Sequence, residues 1–484
     1  MEKGCSESMS EADKLHWTRL LSPRRICTSA DGYSADPTRD EFHIDYDRIV
    51  YSSDFRRLKD KTQVFPLSRN DFTRSRLTHS LEVSCVGRTL GRKLAELLTR
   101  KGLLPDTESD IGTIVAAASL AHDIGNPPFG HSGESAIQTW AKKNTACAAN
   151  NPDHRPFEVA TEQELLDLHR FEGNAQGLRV LARLQANRRK GGLRMTVATL
   201  AAMMKYPCSS SLSAESKAAA KQAGCKPPAE RKKFGYFSDD AETIVPELRE
   251  IGMEETEPGG FRRHPLAYLV EAADDICYAV IDLEDAVDQR CISHAEAVNA
   301  LLPIARLVVP DFAPSDPANT PLGWVRAIAI GGLVHACMTI IESRFDEFTA
   351  GTLPKSLIEL STIADQYKEA YDLVVNFAYR NRRVLEVEAA GYKVIGGLLD
   401  LFVPALVNDH DRGADQWKLL SLFPERFLRE SVSSRPLSPD AAQQALTPLS
   451  TYQRILAATD FISGMTDSYA VDMYQKLSGI KLPE

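Results

Sequence analysis

The sequence predicts an all-α protein: a helical core with additional C-terminal helices and little or no β-structure. Three observations predict it. Apolar residues recur at three- and four-residue spacing through most of the chain. Alternating β-branched runs are rare, and no Asn-Gly or Asp-Gly turn joins two of them as a hairpin. No internal repeat, coiled-coil heptad or Gly-rich dinucleotide signature competes with this reading.

In chain order, residues 1–44 form an N-terminal segment, 45–300 a core, and 301–484 a C-terminal helical region packed on it. A short strand near 62–65 comes first. The stretch Ser75-Arg76-Leu77-Thr78-His79-Ser80-Leu81-Glu82-Val83 runs into Val86, Leu90, Leu94 and Leu97, an amphipathic helix with His79 in its first turn. Helices follow at 112–121, from His131 onward, and at 175–184, 197–204, 265–288 and 295–307. The C-terminal region continues with 324–343, 356–379, 391–406 and 451–477. Two stretches break the pattern. Residues 207–235 are rich in Ser, Ala and Lys and read as a flexible basic insertion, either a solvated surface or a partner for phosphate. Residues 145–156 read as a loop belonging to a lid.

The whole chain excludes several classes. Its 484 residues are 43% hydrophobic and 25% charged, ordinary for a globular protein. A formal charge of −9 argues against nucleic-acid binding through the overall field, though local basic patches stay open. The apolar run 327–341 is too short to span a bilayer. Residues 1–7 carry no signal-peptide core. Nine scattered cysteines without a Cys-x-x-Cys pair make a disulfide framework or zinc ribbon unexpected, and point to a reducing cytoplasm.

The most informative stretch is Ala121-His122-Asp123-Ile124-Gly125-Asn126-Pro127-Pro128-Phe129-Gly130-His131-Ser132-Gly133-Glu134. An apolar run ends in adjacent imidazole and carboxylate groups, which together suit Mn, Fe, Co, Zn or Mg. A helix C-terminus meeting a His and a turn-forming Asp explains the segment equally well. In the 265–288 helix, Asp274, Tyr278 and Asp282 are spaced i, i+4, i+8 and share one face beside the apolar stripe, where unpaired carboxylates are costly. A metal for Asp274 and a hydroxyl-bearing ligand for Tyr278 and Asp282 would supply a reason. A solvated acidic face suits Glu271, Asp275 and Glu284.

The pattern His79 … His122-Asp123 … Asp274 resembles the HD metal-dependent phosphohydrolase superfamily. The surrounding stretches resemble bacterial dGTP triphosphohydrolases more narrowly. They are Phe55-Arg56-Arg57-Leu58, Lys61-Thr62-Gln63-Val64-Phe65-Pro66, Arg76-Leu77-Thr78-His79-Ser80 and His122-Asp123-Ile124-Gly125. They continue through Phe171-Glu172-Gly173-Asn174-Ala175-Gln176, Lys205-Tyr206-Pro207, Glu271-Ala272-Ala273-Asp274-Asp275 and Gly464-Met465-Thr466-Asp467. The likeness runs in the same order from about residue 45 to 477.

That resemblance implies water attack at the α-phosphorus of dGTP, or of dNTPs generally, releasing a deoxynucleoside and inorganic tripolyphosphate. It implies His79, His122, Asp123 and Asp274 as ligands of one divalent ion, Mn or Mg foremost, with Co and Fe as alternatives. A bound ion would polarise the phosphoryl group and orient the attacking water. His131 and Glu134, three residues apart, are the implied catalytic pair, the carboxylate orienting the ring for general acid/base work. Where related mammalian enzymes carry a further His in this turn, the chain has Asn126. Arg76, Lys205 and Tyr206 match triphosphate-binding positions. Tyr278 and Asp282 match positions that pack on the deoxyribose and bind its 3′-hydroxyl. Gln63 and Asn174 match sugar or base contacts, and Arg380, Arg382 and Arg383 are candidates for further phosphate contacts. Implied partners are the nucleotide, further copies of the chain (a hexamer foremost) and, as in some members, single-stranded DNA; no membrane is expected. Two other classes stay open: an HD nucleotidase or phosphodiesterase acting on monophosphates or cyclic nucleotides, and a nucleotide-regulated DNA-binding protein on the same scaffold.

Overall fold

The computed structural model describes residues 10–27, 40–66, 73–105, 110–185, 191–312, 314–408, 412–428 and 438–481. These residues form an α-helical protein around one contiguous hydrophobic core. β-Structure is confined to two tiny sheets: Thr145–Cys147 parallel to Phe157–Val159, and Glu255–Glu257 antiparallel to Gly260–Phe261. Residues 145–156, expected as loop, therefore begin with a paired strand. At 62–65 only an isolated bridge forms, Thr62 to Ser75.

Two closely packed helices set the frame. Ile111–Ala121 is apolar on every face and every residue but Thr113 is buried, so it can only be a core helix. Arg76–Arg100 crosses it at close range: a Cβ on Gly91 would stand 2.8 Å from both the Gly112 Cα and the Ile111 carbonyl oxygen. That backbone approach holds the start of one helix near the end of the other, and so His79 near His122. The Pro265–Asp288 helix starts on a His264 cap with proline at its first position and packs on both. The turn after Ile111–Ala121 is locked by Gly125, whose site leaves no room for a Cβ against the Gly173–Arg179 helix.

The structure departs from expectation in several places. The segment 207–235 holds a helix, Ser210–Gln222, capped by Ser209, so it is folded secondary structure rather than a loop. Its first serine helps explain this: the Ser210 hydroxyl donates to the buried Asp167. The expected 356–379 helix breaks into Leu357–Leu360 and Ala364–Val374, followed by a π-turn, Val375–Tyr379. The 451–477 helix breaks after Ser463, where Gly464-Met465-Thr466 turns. There Arg57 and Lys61 donate to the Gly464 and Ser463 carbonyls, and Asp467 accepts from the Thr62 and Phe129 amides. The expected boundaries do not fall in linkers. Residue 45 lies within Glu41–Tyr51 and residue 300 within His294–Ala305. Residues 1–9 and 28–39 of the expected N-terminal segment lie outside the described residues, but Trp17, Leu20 and Ile26 are core.

The apolar run 327–341 sits inside a longer helix, Leu322–Ser343, which with Arg382–Val407 is long and apolar enough to cross a membrane by length and composition; half of each is buried within the protein.

Candidate active site

The Arg76–Arg100, Ile111–Ala121 and Pro265–Asp288 helices deliver His79, His122 and Asp274 to one point. His79 Nε2 lies 3.0 Å and His122 Nε2 3.4 Å from the same oxygen, Asp274 Oδ1. Ligand atoms of the three residues all lie within 4.8 Å of one another. The His122 ring is oriented by its Nδ1, 2.6 Å from the Ser119 carbonyl, a backbone anchor typical of metal-ligating imidazoles.

The site has spare ligand capacity. His122 Nε2 and His79 Nδ1 are buried without a hydrogen-bond partner. Burial alone would lower the His122 pKa, yet Asp123 and Asp274 push it up to about 9. Burial alone would raise Asp274, yet His122 and His79 hold it well below the usual carboxylate range. A field this negative, ending on an unpartnered imidazole nitrogen, fits a divalent cation. Asp123 stands apart from the other three: its Oδ1 is 3.5 Å from His122 Nε2, while Arg76 donates to Oδ2 at 2.7 Å and the Asn126 amide also bonds it.

His131 and Glu134 form the pair expected of them. Nδ1 lies 3.0 Å from Glu134 Oε2, with the ring side chain 77% exposed and the carboxylate 6%. Glu134 Oε1 accepts from the Gly173 amide at 2.7 Å. Burial would raise this carboxyl, but the His131 hydrogen bond and Lys233 lower it.

These groups border a cavity of about 980 Å³. Arg76, His122, Asp123, Asp274, His131, Gln63, Asn174, Lys205, Tyr206 and Tyr278 all line it; His79, Glu134 and Asp282 stand behind the wall. Both amide atoms of Gln63 are buried and unpartnered. Asn174 is less available, because its amide donates to Glu172 at 2.6 Å. Tyr278 packs its ring 5.2 Å from His79. Asp282 reaches the cavity through Tyr379, whose hydroxyl donates to Oδ2 at 2.6 Å from the π-turn. Burial raises the Asp282 carboxyl to about 7, and Oδ1 has no partner.

Arg76 is a buried ion-pair member and Lys205 a partly buried one: Lys205 Nζ is 3.1 Å from Glu271, which also pairs with Arg263 at 2.7 Å. Glu271 is thus no solvated acid, and neither is Glu284, held by Arg74 and Arg326 at 2.5 Å. Arg380, Arg382 and Arg383 do not line the cavity; Arg382 pairs with Glu386 and its side chain is 92% exposed. Sequence reasoning missed Arg263, Tyr367 and Tyr379, for which no local pattern exists. Lys232 and Lys233, from the basic segment whose role as a phosphate partner the sequence left open, also line the cavity. Their signal was the run Arg231-Lys232-Lys233.

Residues 76–201 match the HD domain, a span holding His79, His122, Asp123, His131 and Glu134. The chain is 38% identical over 477 residues to a deoxyguanosinetriphosphate triphosphohydrolase-like protein of Synechocystis sp., covering 97% of this chain and 100% of the relative. A protein of Listeria monocytogenes with the same description is 34% identical, with 96% and 100% covered. A deoxyguanosinetriphosphate triphosphohydrolase of Salmonella arizonae is 32% identical, with 98% and 99% covered.

Proposed function

This chain belongs to the deoxyguanosinetriphosphate triphosphohydrolase-like family of HD-domain phosphohydrolases, and on that premise we propose that it hydrolyses dGTP, or dNTPs generally, at the α-phosphorus. The products are a deoxynucleoside and inorganic tripolyphosphate. One observation carries the reading: the unpartnered His122 Nε2 beside Asp274 opens onto a cavity whose cations, Arg76, Lys205, Lys232, Lys233 and Arg263, can meet a triphosphate.

His79, His122 and Asp274 would hold one divalent ion, Mn or Mg first, with Asp123 completing the set by turning from Arg76. Bound there, the ion supplies Lewis-acid polarisation of the α-phosphoryl group. Arg76, whose Nε is buried and unpartnered, offers a phosphate a second contact beside its Asp123 pair. Lys205 and Tyr206 receive the phosphate chain. His131, oriented by Glu134, moves a proton at the reacting phosphate, where water forms a P–O bond and the bond to the 5′-oxygen breaks. Tyr278 lies under the sugar and leaves no space for a 2′-hydroxyl, while Asp282 with Tyr379 receives the 3′-hydroxyl. Gln63, its amide unspent, faces the sugar or base; Asn174 supports that wall. The enzyme works as a homo-oligomer, testable by light scattering.

The test is product analysis. Each dNTP is incubated with the protein and Mn or Mg, and the products are separated by anion-exchange chromatography. Tripolyphosphate and deoxynucleoside in equal amounts are expected; orthophosphate would reject the reading in favour of another HD phosphohydrolase.

A further inference from the structure

A second cavity, about 440 Å³, shares Lys233 with the substrate cavity. Its lining carries Lys142, Arg170, Lys217 and Lys233 against a single carboxylate, Glu172. That carboxylate is already engaged: Lys233 Nζ lies 2.7 Å from Glu172 Oε2, and the Asn174 amide donates to Oε1. Among the described residues, no carboxylate pairs with Lys142, Arg170 or Lys217. Two of the three are half-buried, the Arg170 and Lys217 side chains, where an unpaired cation is expensive. Burial lowers the Arg170 guanidinium with nothing raising it, and lowers Lys217 with further repulsion from Arg170 and Lys233 that outweighs the attraction of Glu172. Four cations from four separate segments thus face one space without the anion that would balance them. Their sources are the end of His131–Asn144, the end of Glu162–His169, Ser210–Gln222 and the chain before Ser238–Glu250.

We propose that this cavity is a second anion site, built to take an oligophosphate group. Several cations around one volume suit a chain of phosphates better than a lone carboxylate, and guanidinium with ammonium groups is the donor set phosphates prefer. The volume falls within the range of small-ligand pockets and is under half that of the substrate cavity. Lys233 lines both cavities and also lies 3.6 Å from Glu134 Oε2. An anion held at the second site therefore shares a lysine with the His131–Glu134 pair. The site goes beyond the hydrolysis proposed above and does not depend on it.

The experiment is equilibrium dialysis of inorganic tripolyphosphate against the full chain without added metal. Two tripolyphosphates per subunit are expected, and one in Arg170→Gln/Lys217→Gln, a pair outside the catalytic residues. A double variant that binds as many tripolyphosphates as the wild type would overturn the assignment. Should the double variant not fold, Lys142→Gln at an exposed position decides: a loss of about tenfold in second-site affinity is expected, and unchanged affinity overturns it. Competition by orthophosphate identifies free phosphate as the source of the anion, and competition by dGTP alone identifies a nucleotide tail. A wild type with no dNTP turnover would reject the hydrolase reading and leave this binding result standing.

Discussion

Two regions of this protein bury clusters of charge, and they treat that charge in opposite ways. Around Arg179, 1% exposed, Asp460 accepts at 2.9 Å, Asp240 at 2.9 Å and Asp239 at 3.0 Å. Gln176 and Gln453 donate to the same carboxylates, and Arg183 joins from the rim. Every charge there has a protein partner. At His79, His122 and Asp274, by contrast, an imidazole nitrogen on each histidine is left buried without a hydrogen bond. Saturated clusters hold helices together; an unsaturated one carries a cost that only a ligand offsets. The difference separates a structural ion network from a candidate metal site without reference to any relative.

Breaking each cluster should therefore have opposite consequences. His122→Ala or Asp274→Asn is expected to cut turnover by on the order of 10³-fold or more, about 4 kcal/mol of barrier, while circular dichroism and the melting curve stay close to wild type. Retained turnover in a folded variant would remove these residues from the site. Arg179→Met should do the reverse, stranding buried carboxylates. Urea unfolding should lose about 3–5 kcal/mol, with activity falling only as the folded fraction falls.

Metal binding sharpens the contrast. Mn at about a hundredfold its dissociation constant should stabilise the wild type by about 2.7 kcal/mol, seen as a rise in Tm. Asp274→Asn should show no rise, and an equal rise there would place the ion elsewhere. Chelator should reverse both the stabilisation and the turnover. A smaller effect is expected at Gln63, whose amide is unpartnered. Gln63→Ala should raise KM about tenfold, near 1.4 kcal/mol, and leave kcat and Tm alone; an unchanged KM for every dNTP would show that this amide faces no substrate.

The smallest effect concerns pH. Burial raises Asp282 to about 7 from an ordinary 3.8. Between those values the folded chain keeps a proton that the unfolded chain has lost, so this group's contribution to stability falls as pH rises through the window. Asp282→Asn removes that slope. Its Tm advantage over wild type should grow from pH 5 to pH 7 while affinity for a deoxynucleotide drops. An advantage independent of pH would mean that Asp282 is already ionised.

Much of the fold was legible because it rests on local periodicity. Ile111–Ala121 is apolar all round and Pro265–Asp288 has a clear stripe, so their existence and burial follow from composition alone. Helix interruptions were not legible. Nothing local forbids 451–477 from being continuous, and the break at Gly464 depends on Arg57 and Lys61 arriving from over 400 residues earlier. Of the site, the metal-ligand candidates stood out because imidazole beside carboxylate at the end of an apolar run is chemically odd. The cations were harder. A lysine on a Ser/Ala-rich segment looks the same whether it faces water or Glu172, and only the folding of Ser210–Gln222 onto Asp167 decides which.

What the sequence determined by itself was the helical class, the family, and the identity of the groups able to grip a cation, since spacing and residue chemistry are properties of the chain. Tertiary structure alone decided which of those groups meet. It put one Asp274 oxygen within reach of both imidazoles, turned Asp123 toward Arg76, and set Asp282 behind Tyr379. The reason is geometric. A metal site needs atoms from three helices fixed to within an ångström or so, and that distance is set by backbone contacts such as Gly91 on Gly112, not by any pattern along one helix.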